Sequence, residues 1–202
     1  MAIPKWSQLL VGVVTVVPLA GQTARPNAYS VTETFYLLNK PVNFSIYRDG
    51  SKVLVDRQNT PEQQPKYHVQ FLYDLQTHNQ VFWDVDNPAN CNTAVFQDDE
   101  LERGDPFAAD VDRFKQYAKV IGTETIHGVA TKIYQQSSPA VEMWIDPKYG
   151  AAMKVQATLD GKTQTTLEVI KLSVAKPPTE WFVIPSACAE TLKASSQRQN
   201  RD

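Results

Sequence analysis

A chain of 202 residues is long enough for one domain with a sizeable core, and 42% hydrophobic with 21% charged residues is the balance of a folded protein, not a disordered one. A formal net charge of −2 excludes any general electrostatic pull toward nucleic acid or an anionic membrane. Lys and Arg are enriched only near the C-terminus, where they are mixed with Glu and Asp.

The N-terminus carries Lys5 and then an uncharged apolar run, LLVGVVTVVPLA, over residues 9–20. A positive flank, a short apolar run and small or polar residues after it are the layout of a secretory signal peptide. The run is short for a membrane span, which needs roughly 20 apolar residues. The expected division is a signal peptide at 1–24, one β-rich domain at 25–190 and a disordered polar tail at 191–202. An uncleaved anchor is the alternative for the first segment. The expected location is the periplasm or the exterior, with no transmembrane span in the mature chain.

Export places Cys91 and Cys188 in an oxidising compartment, and an even cysteine count there favours one disulfide. Two unpaired buried thiols are the alternative. Neither cysteine has a CxxC or zinc-like spacing.

Residues 28–38 read as a strand, with Tyr29, Val31, Phe35 and Leu37 on one face and Glu33 as the exception. Asp49-Gly50 predicts a two-residue hairpin loop that pairs Ile46 with Val53 and Phe44 with Val55. Residues 60–65 (TPEQQP) read as a polar loop. Strands are expected at 67–75 and 81–85, then a loop at 86–92 carrying Cys91, then an exposed acidic stretch at 98–105. One amphipathic helix is expected at about 106–121. Asp105 would be its N-cap, Pro106 its first residue, and Gly122 its stop. Its apolar stripe would be Phe107, Val111, Phe114, Ala118 and Ile121. Beyond it, a hairpin turns at His127-Gly128 and a short strand runs over 141–145. Residues 151–159 and 163–174 flank Asp160-Gly161-Lys162. A three-residue loop with a glycine bulge, pairing Val155 with Leu167 and Met153 with Val169, is preferred there to a strict two-residue loop. A last short strand is expected at 181–184. The fold class is mostly β (α+β): a strongly curved antiparallel sheet or incomplete barrel packed with one helix.

No enzyme signature is present. His68, His78 and His127 have no metal-ligand spacing, and Asp84-x-Asp86 departs from a calcium loop at Pro88. No GxSxG elbow, P-loop or GxGxxG occurs. The reading is therefore non-enzymatic, with no cofactor and no metal. A carboxylate-based hydrolase needs no motif, and Asp84, Asp86 and Glu142 are its candidates. The apolar strand residues Phe44, Ile46, Val53, Val55, Phe71, Tyr73, Trp83, Trp144, Met153 and Val155 are either ordinary core or the lining of an apolar pocket.

Four stretches together resemble a known family: GTETIHGVATKIY at 122–134, VEMWID at 141–146, YGAAMKV at 149–155 and FVIP at 182–185. Tyr73-Asp74 followed by Thr77 adds a mid-chain hairpin. The pattern is similar to the C-terminal half of LolA-like periplasmic carriers and covers roughly residues 66–188. The resemblance implies a curved antiparallel half-barrel that holds lipid or acyl chains on its apolar face. Typical members open with an amphipathic helix before the first strand, whereas here the mature chain is expected to run straight into the strand at 28–38. The alternative function is a structural or protein-interaction domain with a filled core, working with an envelope protein partner.

Overall fold

The computed structural model describes residues 25–37, 40–59, 66–97, 104–107, 110–138 and 140–199. The signal-peptide segment, the 60–65 loop and most of the 98–105 acidic stretch lie outside the described residues. Among the described residues, eleven strands form one open antiparallel sheet. They are β1 Ala28–Leu37, β2 Lys40–Asp49, β3 Lys52–Asn59, β4 His68–Asp74, β5 Asn79–Asp84, β6 Cys91–Val95, β7 Lys119–Ile126, β8 Val129–Ser137, β9 Ala140–Ile145, β10 Ala152–Leu159 and β11 Lys162–Ser173. The order is β6-β5-β4-β3-β2-β1-β11-β10-β9-β8-β7. Two meanders are thus joined where β1 pairs with β11, and the sheet is a half-barrel with β6 and β7 at its ends.

Turn chemistry sets the registers. At β7–β8, His127 and Gly128 both take positive φ, 45° and 84°, so Ile126 pairs with Val129 as the sequence predicts. At β2–β3 the register differs from expectation by two residues: Asp49 pairs with Lys52, and Ile46 with Val55. The loop is Gly50-Ser51, with positive φ at Gly50 (60°) alone, because glycine takes the strained first loop position that Asp49 would otherwise have filled. A shift of two keeps every side chain on its face, so the apolar set survives. At β10–β11 Val155 pairs with Leu167 as expected, for a different reason. Asp160 and Gly161 make a two-residue loop, and the extra residue, Thr166, sits as a bulge inside the strand.

The helix is shorter than its apolar stripe suggested. Helix α1 is Asp110–Tyr117, and Asp105, Pro106 and Phe107 form a separate turn before it. Ala118 makes the last helical backbone bond, to the Phe114 carbonyl (3.1 Å). Val120, Thr123 and Thr125 are β-branched and pair with β8, with Ile121 the extra residue of a bulge between Val120 and Gly122, so Gly122 lies in a strand and stops nothing. The chain end also differs from expectation. Residues 181–184 are not a strand: Thr179–Phe182 is a 3-10 turn following Pro177 and Pro178. Helix α2, Ser186–Gln199, runs through most of the segment expected to be a disordered tail. The loop expected at 86–92 ends early, since Cys91 opens β6.

Each face of the sheet carries a core. One cluster runs along the inner face from Tyr73 and Phe96 through Tyr29, Val31, Ile46 and Val53 to Trp144 and Met153. The other face buries Leu54 and Trp83 against Cys91, Phe182 and Cys188, with Ile184 and Leu192 alongside. Cys91 and Cys188 form a disulfide, with Cα atoms 5.6 Å apart, that fixes α2 beside β6.

Candidate functional site

The inner face of β1 is built by strand alternation. Tyr29, Val31, Glu33 and Phe35 point the same way, and Tyr29, Val31 and Glu33 are fully buried. The turn Gly104–Phe107 lies over them. The Tyr29 hydroxyl donates to Asp105 Oδ2 (2.5 Å), while Asp105 Oδ1 accepts from the Phe107 amide (2.9 Å). The Phe107 ring packs on Tyr29 with centroids 4.6 Å apart. On the far side, the Ala152 amide donates to the Pro106 carbonyl (2.8 Å). Gly104 fits because it has no side chain: a Cβ there would stand 3.3 Å from Glu33 Oε1.

Electrostatics in this patch are set by burial. Glu33 is fully buried, and neither carboxyl oxygen meets a hydrogen-bond donor among the described residues. Its pKa is pushed well above the ordinary carboxyl range, first by desolvation and then by the Asp105 charge. Asp105 is also raised by burial, against the opposing effect of its bonds from Tyr29 and Phe107 and of Arg48 and Arg25. Tyr29 is raised too, by burial first and by Asp105 second, so its phenol remains a donor.

Beside the turn, an open cleft of about 210 Å³ lies between α1 and the sheet. Phe35, Val155 and Leu167 line the sheet side; Gly104, Asp105, Pro106 and Val111 line the other.

The sequence-predicted apolar set divides between the two faces. Ile46, Val53, Tyr73, Trp144 and Met153 are buried in the inner cluster, and Val55, Phe71 and Val155 pack against it. Phe44 is opposite Glu33 in the ladder and meets the Phe35 ring edge-on at 6.3 Å. Trp83 does not join them. It is buried on the other face, because strand alternation puts it out of phase with Phe82, the partner of Phe71. Only Val155 of the set lines the cleft itself, where most of the lining was not anticipated from sequence.

The three candidate carboxylates are not brought together. Asp84 Oδ1 accepts from the Asp86 and Asn87 amides (2.9 and 3.3 Å) in a local turn. Glu142 accepts from Gln135 (2.8 Å) on β9, toward the other end of the sheet. The carboxylates that do converge are Glu33 and Asp105. The signal for Glu33 was visible as a charge on an otherwise apolar strand face. The histidines serve local pairs: His68 with Asp56 (2.7 Å) and His127 with Glu168 (2.8 Å). Among the described residues no group of three or more His, Cys, Asp or Glu side chains could hold a metal ion, and no helix is long and apolar enough to cross a membrane.

The residues behind the family resemblance have structural work in this chain. Trp144 Nε1 donates to Glu124 Oε2, tying β9 to β7. Asp146 closes the turn after β9 through the Ala151 carbonyl and its own bonds to Lys148 and Gly150. No family model and no curated protein matches the chain. Solved structures do match its fold. A crystal structure of MucB in complex with MucA(peri) aligns at TM-score 0.50 and 11% identity, covering 81% of this chain and 56% of that one. The Pseudomonas aeruginosa MucA/MucB complex structure aligns at TM-score 0.51 and 13% identity, covering 81% and 58%. The chain thus spans a little over half the length of these neighbours, and the likeness is one of fold.

Proposed function

We propose that this chain is an exported, non-enzymatic binding protein of the cell envelope whose half-barrel adds a strand from a partner protein along the free edge of β7. The observation that carries this reading is the contrast between the two ends of the sheet. At one end β6 is backed by α2 and clamped by the Cys91–Cys188 bond. At the other, β7 has β8 on one side and no strand beyond it among the described residues. Val120 and Ile121 there are 56% and 50% exposed, beside Tyr117 at 72%. An edge with unpaired backbone groups and apolar side chains is a template for strand addition. That the similar MucB structures are complexes with a protein adds support. Export rests on the N-terminal apolar run and on the disulfide.

The test is site-specific photo-crosslinking in the intact envelope, with the probe at exposed Thr123 of β7 and a control probe at exposed Thr163 of β11. A discrete protein adduct at Thr123, absent at Thr163 and lost in Ile121→Pro, supports the reading. Adducts of equal yield at both positions, or none at Thr123, overturn it.

The cleft beside α1 favours a second reading, an apolar ligand such as a lipid acyl chain held against Phe35, Val155 and Leu167. Its volume of about 210 Å³ falls below the range of roughly 300–1,000 Å³ typical of ligand pockets, which ranks it second. Native mass spectrometry with organic extraction separates the two. A co-purifying lipid lost in Val155→Asp would favour the cleft, and a clean protein mass would favour the edge.

A further inference from the structure

The Gly104–Phe107 turn rests on the Glu33 carboxyl, which is shielded from solvent and meets no hydrogen-bond donor among the described residues. We infer that this turn is a proton-operated latch on the wall of the cleft, seated while the Glu33 carboxyl carries a proton and lifted when that proton leaves.

The geometry gives the two carboxyls different surroundings. Asp105 accepts hydrogen bonds from the Tyr29 hydroxyl and the Phe107 amide. Glu33 has no such bonds among the described residues and is completely shielded from solvent. A bare buried carboxylate is far costlier than a neutral carboxyl, so the seated turn requires the acid form. No cation on the neighbouring strands relieves it. On the inner face, β2 places Phe44 and Ile46 beside Glu33, and β11 places Val169 and Leu167 there. The charged groups that act in this patch are Asp105 on the turn itself, which opposes ionisation of Glu33, and Arg48 and Arg25, which act on Tyr29 and Asp105.

The turn can also leave without breaking the sheet. Among the described residues its fastenings are the Tyr29–Asp105 bond, the Ala152–Pro106 bond and the burial of Pro106 and Phe107, the Phe107 ring lying on Tyr29. None belongs to a strand ladder. Gly104, Asp105 and Pro106 form one wall of the cleft, so lifting them widens it.

The sign follows from linkage. Lifted, Glu33 meets water and titrates as an ordinary carboxyl. Seated, it titrates higher. Rising pH between those two values therefore favours the lifted form, by up to about tenfold per pH unit. The latch does not depend on which partner or ligand the protein takes.

Amide hydrogen exchange on the whole mature protein tests it. The Ala152 amide is the reporter, because its bond goes to Pro106 on the turn. Amides of the β10–β11 ladder are the internal reference. Between pH 5 and 8, protection of Ala152 relative to the ladder should fall, approaching tenfold per unit, and Glu33→Gln should flatten the dependence. A flat ratio in the natural protein, or an unchanged slope in the variant, overturns the inference. Should Glu33→Gln fail to fold, carbon-13 titration of the Glu33 carboxyl in the natural protein decides. A midpoint at the ordinary Glu value sinks the latch. A raised midpoint that tracks Ala152 exchange upholds it.

Discussion

Tyr29 and Asp105, 76 positions apart in sequence, share a 2.5 Å hydrogen bond that fastens the turn before α1 to the first strand. The phenol is fully buried, so loss of the hydroxyl leaves Asp105 Oδ2 short of a partner. Tyr29→Phe is expected to lower unfolding free energy by about 1–3 kcal/mol, as leaving one partner of a buried hydrogen bond unsatisfied does. Urea unfolding at pH 7 measures it. An unchanged midpoint would mean that water replaces the hydroxyl at no cost.

Glu33 predicts an unusual pH profile for global stability. Its pKa in the folded chain lies above its unfolded value, through burial first and Asp105 second. The unfolded chain therefore releases this proton first as pH rises. The contribution to stability is complete below the ordinary carboxyl value and is lost progressively toward the raised one. Glu33→Gln should stabilise at pH 7 relative to the natural chain, with the gain shrinking to nothing near pH 4. Thermal melts across pH 4–8 check this, and a gain that grows toward acid would contradict it.

How much of this was legible in the sequence depended on the range of the interaction. The turn at His127-Gly128 is encoded locally and sits where its chemistry demands, whereas Asp160-Gly161 closes a two-residue loop and the extra residue lies inside the strand. Gly50 marks the turn but not its register, because one glycine satisfies either of two neighbouring loop frames, one residue apart, whose strand pairings differ by two residues. Strand alternation brought Ile46, Val55, Phe71 and Met153 to one core and marked Glu33 as out of place. It could not say that Trp83 faces the other way, since the phase between strands depends on turn lengths. The apolar spacing of α1 continues through Val120 and Ile121, but both are β-branched strand residues, Val120 pairing with Tyr134 and Ile121 sitting in the bulge that follows. Asp105 looked like a helix cap. Its bond to Tyr29 is long-range, and no local pattern encodes it.

Two glycines separate backbone strain from space. Gly128 has φ 84° and nothing within 4 Å of an added Cβ. Gly122 has ordinary φ, and a Cβ would meet Ile133 Cδ1 at a comfortable 3.7 Å. Gly128→Ala should cost about 1–2 kcal/mol, the penalty of an L-residue in the left-handed region. Gly122→Ala should be close to neutral. Equal costs in denaturant melts would show that the β7–β8 turn relaxes to another geometry.

The disulfide reaches further than its own bond. Cys188 is fully buried in α2, and Thr191 of the same helix donates to the Ala89 carbonyl (3.2 Å) just before β6. Phe182, Ile184 and Leu192 use that anchorage to cover Trp83 and Leu72 on the face away from the cleft. The bond spans 97 residues, for which loop-closure entropy gives roughly 4–5 kcal/mol. Replacing both cysteines by serine should therefore lower stability by several kcal/mol. Below full unfolding it should also raise amide exchange in α2 and β6 together, because the helix has lost its tether to the edge it protects. If melts show the loss while α2 keeps its protection, the packing of Leu192 and Phe182 alone holds the helix, and the disulfide acts only on the unfolded chain.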